Sequence, residues 1–256
     1  MEKNILLTLE YDGSCFHGWQ EQPREKTVQG TLQEALEVVL GSAVKVAGTS
    51  RTDAGVHALG QCCSFKTEAG IPVERLPLAV NNVLCGGRNG AGSKVGVIRV
   101  LSAREMPSDF HARFDCKGKT YKYLLSEEEP RAFSRNYCYY IEGDLSVEAM
   151  RKAAEVIVGT HDFAGFQSAG GNPRESTVRT IESIDIKRRG KQVIVAVTGD
   201  GFLYNMVRII VGTLVEVGLG KKSCESVKDA VEKSDRSLAG HTAPAEGLYL
   251  AEIYFK

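Results

Sequence analysis

The run Gly48-Thr49-Ser50-Arg51-Thr52-Asp53-Ala54-Gly55-Val56-His57-Ala58 sets one acid, Asp53, among small and hydroxyl residues beside an arginine. A solvated loop usually carries several charges. This one carries a single carboxylate, with glycine on both sides to let the backbone turn tightly. A lone carboxylate in such a frame suits a nucleophile or a general base. A β-turn aspartate that binds its own backbone fits the same spacing.

A second place for chemistry lies at residues 203–217. From Leu203 to Val215 apolar side chains occur all the way round a helix, which marks it as buried. Arg208 is the only charge between Gly201 and Val215. A buried guanidinium is costly without a partner and usually finds a carboxylate. An arginine that snorkels at the helix edge is the alternative. If Arg208 needs a carboxylate, Asp53 is the acid whose surroundings look most like an interior site. Tyr121 and Tyr123 stand two apart on a predicted strand and so share one face. Such a pair serves packing more often than catalysis. These residues alone describe an Asp-centred site, with Arg and Tyr as candidates around it and no reaction specified.

The elements that must hold these residues follow from periodicity. Residues 3–11 alternate as a half-buried strand, with Ile5, Leu7, Leu9 and Tyr11 on one face. Val28, Leu32, Ala35, Leu36, Val39 and Leu40 follow helical spacing, with Gly41 as the stop. Strands are expected at 43–48 and 60–67, flanking the Asp53 loop, and a helix at 73–84. Residues 94–101 and 114–125 read as strands and 146–158 as a helix. Residues 180–198 form a predicted hairpin turning at Arg189-Gly190. Helices at 203–217 and 223–233 and a strand at 247–255 complete the chain. The mixture predicts an α+β fold with helices on one side of a largely antiparallel sheet. Ser, Pro and charged residues cluster at 102–109. They divide the chain into residues 1–104, with the Asp53 loop, and residues 105–256, with the Arg208 helix.

Composition narrows the class. The 256 residues are 43% apolar, with 32 basic and 32 acidic side chains. That allows substantial cores and argues against binding polyanions by bulk charge, although a local basic patch can hide in a neutral total. The seven cysteines include no C-x-x-C pair, which reads as a reduced cytosolic protein. The first residues show no signal-peptide pattern, and no apolar run reaches membrane-spanning length. Scattered histidines make a catalytic metal an unfavoured reading. The glycine-rich stretch 85–93 lacks the G-K-[ST] ending of a phosphate loop and reads as a flexible connection.

The chain also resembles a known family. Arg51-Thr52-Asp53-Ala54-Gly55-Val56-His57 is similar to the signature of the tRNA pseudouridine synthase A family. Four more blocks agree in order. They are Tyr11-Asp12-Gly13 with Phe16 and Gly18-Trp19-Gln20; Phe110-His111-Ala112-Arg113-Phe114 with Tyr121 and Tyr123; Phe202 with Met206-Val207-Arg208 and Ile210-Val211-Gly212; and Ala243, Pro244, Glu246, Gly247 and Leu248. Together they span nearly the full length. The segment 85–93, with four glycines and no proline, departs from the family pattern.

The resemblance implies the pseudouridine synthase fold, two α+β halves sharing a largely antiparallel sheet with the active-site cleft between them. It implies isomerisation of uridine to pseudouridine in the anticodon stem-loop of tRNA, at positions 38 to 40. The enzyme would work as a homodimer in the cytoplasm, with no cofactor and no metal. Asp53 would be the essential carboxylate. Arg208 would favour its ionised form, as an adjacent guanidinium can lower a carboxylate pKa by about 1–3 units. Tyr121 would stack on the target base and move a proton at the sugar, and Arg51 would help displace the base from its neighbours. Lys187, Arg188, Arg189 and Lys191 at the predicted hairpin turn, with Arg174 and Arg179, would meet the tRNA backbone. A non-catalytic RNA-binding or RNA-chaperone protein on the same fold is the rival reading. An aspartic-protease reading is weaker, because the chain has no second loop of that kind.

Overall fold

The computed structural model describes residues 2–86, 96–170 and 176–255. Most of the glycine-rich stretch 85–93, and Arg174, lie outside the described residues. By contacts the chain forms two units, one of residues 1–117 and 250–256, the other of residues 118–249. The division falls after Lys117 rather than in the 102–109 stretch. The reason is local: the strand there continues through Met106, and the turn after it is tied back to the first strand.

The first unit contains β1 (Lys3–Tyr11), α1 (Val28–Leu40), β2 (Ala47–Gly48), β3 (His57–Thr67), α2 (Leu76–Leu84) and β4 (Ile98–Met106). β1 pairs antiparallel with β4 on one side and β3 on the other. Asn4 extends the β4 edge, its Nδ2 donating to the carbonyls of Pro107 (2.8 Å) and Phe110 (2.7 Å). α1 begins at Thr27, whose side chain caps Gly30 N–H, and ends at Gly41 as the spacing predicts. It lies against α2, which lies against β4. β1 departs from simple alternation. Asn4 and Leu6 are buried as well as Ile5 and Leu7, because Leu6 joins Cys62 and Ala112 in a cluster under Met106, Phe110, Ile253 and Phe255. The strand expected at 43–48 shrinks to two residues. The backbone of Val46 is bonded instead to α1 side chains, its N–H to Gln33 Oε1 (3.0 Å) and its carbonyl to Gln29 Nε2 (2.8 Å).

The second unit contains most of β5 (Cys116–Ser126), then β6 (Tyr139–Tyr140), α3 (Val147–Ile157), β7 (Gly159–Asp162), β8 (Val178–Arg189), β9 (Gln192–Gly199), α4 (Met206–Gly218) and α5 (Cys224–Glu232). The final strand, β10 (Leu248–Phe255), straddles the division, and its Leu250–Phe255 part belongs to the first unit beside β3. β5, β9, β8 and β7 are neighbours in that order, all antiparallel. β8 and β9 form the predicted hairpin, with Arg189 opposite Gln192, so the two-residue turn is Gly190-Lys191. α3 packs on α4, α5 and β8. The two-residue β6 pairs parallel with β5. The α+β class with a mainly antiparallel sheet is therefore as the alternation of hairpins and helices predicts.

Candidate active site

The Asp53 loop is built from segments far apart in sequence. Tyr11, at the end of β1, places its Oη 2.7 Å from Thr52 Oγ1 in the interior. Trp19 N–H donates to Thr52 carbonyl at 3.0 Å. Gly18 sits so close to that carbonyl that a Cβ would lie 2.8 Å from it, and its φ of 89° is one that glycine adopts readily. On the entry side, Thr49 N–H donates to Cys62 carbonyl (2.9 Å), and Thr49 Oγ1 donates to Ala112 carbonyl (3.1 Å). The Gln61 carboxamide spans Ser50, donating to its carbonyl at 2.7 Å and accepting from its N–H at 3.3 Å. On the exit side, Val56 N–H closes a turn onto Asp53 carbonyl (3.1 Å).

His57, 2% exposed, anchors the end of the loop. Its Nδ1 accepts the N–H of Gly13 at 3.0 Å and stands 3.3 Å from Asp12 Oδ1. With that lone pair engaged by Gly13, Nδ1 has no proton to give Asp12, so this contact is not an ion pair. Asp12 Oδ1 instead accepts from Ser14 N–H (3.0 Å) and Ser14 Oγ (2.7 Å). The loop is thus held by hydrogen bonds on both flanks. Thr52 is buried, Asp53 half-buried and Arg51 exposed. A carboxylate on a half-buried residue whose backbone is held this way can act as nucleophile, base or electrostatic stabiliser.

In the second unit, α4 is buried on nearly every side, as its sequence predicts. It starts at Met206, later than expected, because Asn205 takes a left-handed φ of 60°. Asn205 does not cap the helix with its side chain. Its Oδ1 accepts from Arg208 Nη1 (2.8 Å), while its Nδ2 donates to Ser168 Oγ (3.0 Å). Arg208 Nε donates to Ala243 carbonyl at 2.7 Å, and Ala243 N–H returns to Arg208 carbonyl at 3.1 Å. The half-buried guanidinium is therefore oriented by two neutral acceptors, a carbonyl and a carboxamide.

The segment 240–244 that supplies one of them is itself docked on α4. A Cβ on Gly212 would fall 1.9 Å from His241 carbonyl, so only glycine admits this approach. Gly240 N–H donates to Thr213 Oγ1 (2.8 Å), and His241 N–H to Glu216 Oε1 (2.9 Å). The same carboxylate oxygen lies 2.8 Å from His241 Nδ1. Burial would raise the Glu216 carboxyl, but its bonds from His241 outweigh this and hold it below its ordinary value. Tyr123 Oη donates to Pro244 carbonyl at 2.6 Å, and burial pushes the phenol well above the usual tyrosine range. Tyr123 is thus a structural anchor. Tyr121 is 7% exposed and meets Phe202 edge-on at 5.2 Å.

Composition and spacing assign Asn205, His57, Thr49 and Glu216 no part in these arrangements. The glycines at 13, 18 and 212 were the available signal. At the hairpin turn, Arg188 is committed to structure. It forms an ion pair with Glu127 and donates from Nη2 to Leu145 carbonyl (2.6 Å). Lys191 stands 3.7 Å from Asp144, while Lys187 and Arg189 are exposed. Arg179 Nη1 donates to Ser176 carbonyl at 3.0 Å. Among the described residues no group of three or more His, Cys, Asp or Glu side chains is placed to hold a metal ion.

The sequence blocks that compose these arrangements also match known proteins. The family model described as tRNA pseudouridine synthase matches residues 8–115 and 153–256. A protein of Acetivibrio thermocellus named tRNA pseudouridine synthase A is 45% identical over 254 residues, 99% of this chain and 100% of that protein. Its namesake in Clostridium acetobutylicum is 45% identical with the same coverage of both chains. One from Caldicellulosiruptor bescii is 42% identical, again over 99% and 100%.

Proposed function

Because the chain belongs to the tRNA pseudouridine synthase family, whose members convert uridine to pseudouridine in tRNA, we propose that it modifies the anticodon stem-loop at positions 38 to 40, with Asp53 as the essential carboxylate. The chain is an isomerase. The N1–C1′ bond of the target uridine breaks, the uracil turns, and C5 bonds to C1′. C5 loses a proton and N1 gains one, so the product has the composition of the substrate. The observation that carries the assignment is the Asp53 loop, a single carboxylate on a backbone clamped through Thr49, Ser50, Thr52 and His57. Such preorganisation supports a group that must meet one atom of a flipped nucleotide.

Asp53 serves C1′ while the uracil turns, by adding to it or by taking a proton on a glycal route. Arg208 acts as the cation that keeps Asp53 ionised. Its orientation by Ala243 and Asn205 supports that role, since those bonds fix where the guanidinium charge lies. Tyr121 stacks on the target base, and the exposed Arg51 helps expel it from the stem. Lys187 and Arg189 contact the tRNA backbone. The enzyme works as a cytoplasmic homodimer without a cofactor. Among the described residues no helix is long and apolar enough to cross a membrane, and no cysteine is in a disulfide. The test is pseudouridine formation on unmodified tRNA transcripts, with modified positions mapped. Product at positions 38 to 40 is the expected result. Product elsewhere, or none, would refute the assignment.

A further inference from the structure

The turn after β4 exposes a large aromatic ring that nothing above uses. Phe114 is 73% exposed, on a turn that is otherwise tightly made. Phe114 N–H and Asp115 N–H both donate to His111 carbonyl at 3.0 Å. His111 N–H donates to Asp115 Oδ2 at 2.7 Å, and Arg113 N–H to His111 Nδ1 at 3.2 Å. At its centre Ala112 is fully buried. Its N–H donates to Ser64 Oγ (3.0 Å), and its carbonyl accepts from Thr49 Oγ1 (3.1 Å). The turn is therefore pinned to β3 and to the run that carries Asp53. Phe110, at its start, is packed edge-on against Phe255 at 5.3 Å, whereas Phe114 is turned outward.

The exposed ring has companions. The His111 ring lies 4.4 Å from it, tilted 35°, and the Arg113 guanidinium carbon lies 5.7 Å from its centroid. An aromatic face with a guanidinium beside it matches a nucleobase and its phosphate. Bases stack on aromatic rings and guanidinium planes, and arginine answers the backbone charge. We propose that Phe114 and Arg113 form a stacking platform for an unpaired base of the tRNA substrate. This inference rests on tRNA being the substrate. The cation beside the ring argues against a second apolar protein surface as the occupant. Because Thr49 holds the platform, a base docked there is placed at a fixed distance from the Asp53 loop.

The test uses the full-length protein and an unmodified tRNA transcript, with equilibrium binding over a range of salt and pseudouridine formation under single turnover. Phe114→Ala should weaken tRNA binding on the order of tenfold. Phe114→Tyr should bind as the parent does. Arg113→Gln should reduce the salt slope by about one phosphate contact. As Phe114 is exposed, its alanine variant should melt with the parent. Unchanged tRNA affinity in Phe114→Ala would overturn the platform. So would a loss of self-association in that variant with the affinity retained, which would assign the ring to a second copy of the chain. Parent protein that neither binds nor modifies tRNA would bring down the substrate reading itself, and this inference with it.

Discussion

Tyr11 Oη and Thr52 Oγ1 meet at 2.7 Å in the interior, one residue before Asp53. The two are 41 positions apart, so the phenol at the end of β1 fixes a loop that the chain reaches only after α1 and β2. With Trp19 N–H on Thr52 carbonyl, both polar groups of Thr52 that face β1 and its following turn are held. Tyr11→Phe removes one oxygen and keeps the ring packing against Trp19. The expected loss of stability is about 1 kcal/mol, the ordinary worth of one hydrogen bond. The single-turnover rate should fall by roughly ten- to a hundredfold, since a small misplacement of a reacting group costs that much. Thr52→Ser should keep most activity, and Thr52→Val should match Tyr11→Phe without adding to it. A full rate in Tyr11→Phe would show that the Asp53 loop holds its geometry without the phenol.

Asp53→Asn should fold, bind tRNA and form no pseudouridine. Asparagine matches the size of the half-buried side chain, and the bonds that Tyr11, Thr49 and Gln61 make to hold the loop remain. Chromatographic measurement of pseudouridine, with mass spectrometry to exclude reversion of the amide to Asp, checks the expectation. Clear turnover would remove Asp53 from the chemistry.

Much of this framework was legible in the sequence because it is local. Thr27 and Gly41 bound α1, the alternation around Gly190 defines the β8–β9 hairpin, and the apolar belt of α4 declares its burial. What escaped was long-range and made by backbone. Thr49 finds Ala112 across 63 residues, and Arg208 is held by the carbonyl of Ala243, an atom that every residue type supplies. Asn205 falls inside the helix that periodicity predicts over 203–217. Its left-handed backbone turns the side chain to Arg208 and Ser168 instead. The stretch 102–109 reads as a boundary because Ser, Pro and charged residues cluster in it. On β4, an edge neighbour of β1, such residues face solvent without leaving the strand.

Glu127 predicts an acid-sensitive contact within the second unit. Hydrogen bonds from Arg188 hold its carboxyl below the ordinary glutamate value; burial opposes this, and Leu145 N–H adds to the lowering at 2.7 Å. A carboxyl whose pKa is lower in the folded state stabilises the fold above its unfolded value. That contribution is lost as pH falls through the folded value. Glu127→Gln should therefore be less stable than the parent near neutrality, and the difference should shrink on acidification. Melting temperatures measured from neutral pH down to the carboxylate range check this. A gap that stays constant with pH would mean that the Glu127 charge contributes nothing.

Arg208 gives the sharpest test of the proposed chemistry. Methionine suits the apolar surroundings of α4, but the substitution also strips donors from Ala243 carbonyl and Asn205 Oδ1. Arg208→Met should thus lose about 1–3 kcal/mol of stability, the usual result of leaving buried acceptors unmet. The catalytic loss should exceed what that unfolding explains. If Arg208 is the cation that keeps Asp53 ionised, its removal raises the pKa of the catalytic carboxylate. The acid limb of the single-turnover pH–rate profile then moves to higher pH, and the variant is least impaired where the carboxylate still ionises. Arg208→Lys keeps a charge without the two-pronged fork, so its acid limb should move less while its rate still falls. An acid limb unmoved in Arg208→Met, at a rate that stability alone accounts for, would confine Arg208 to docking residues 240–244 on α4.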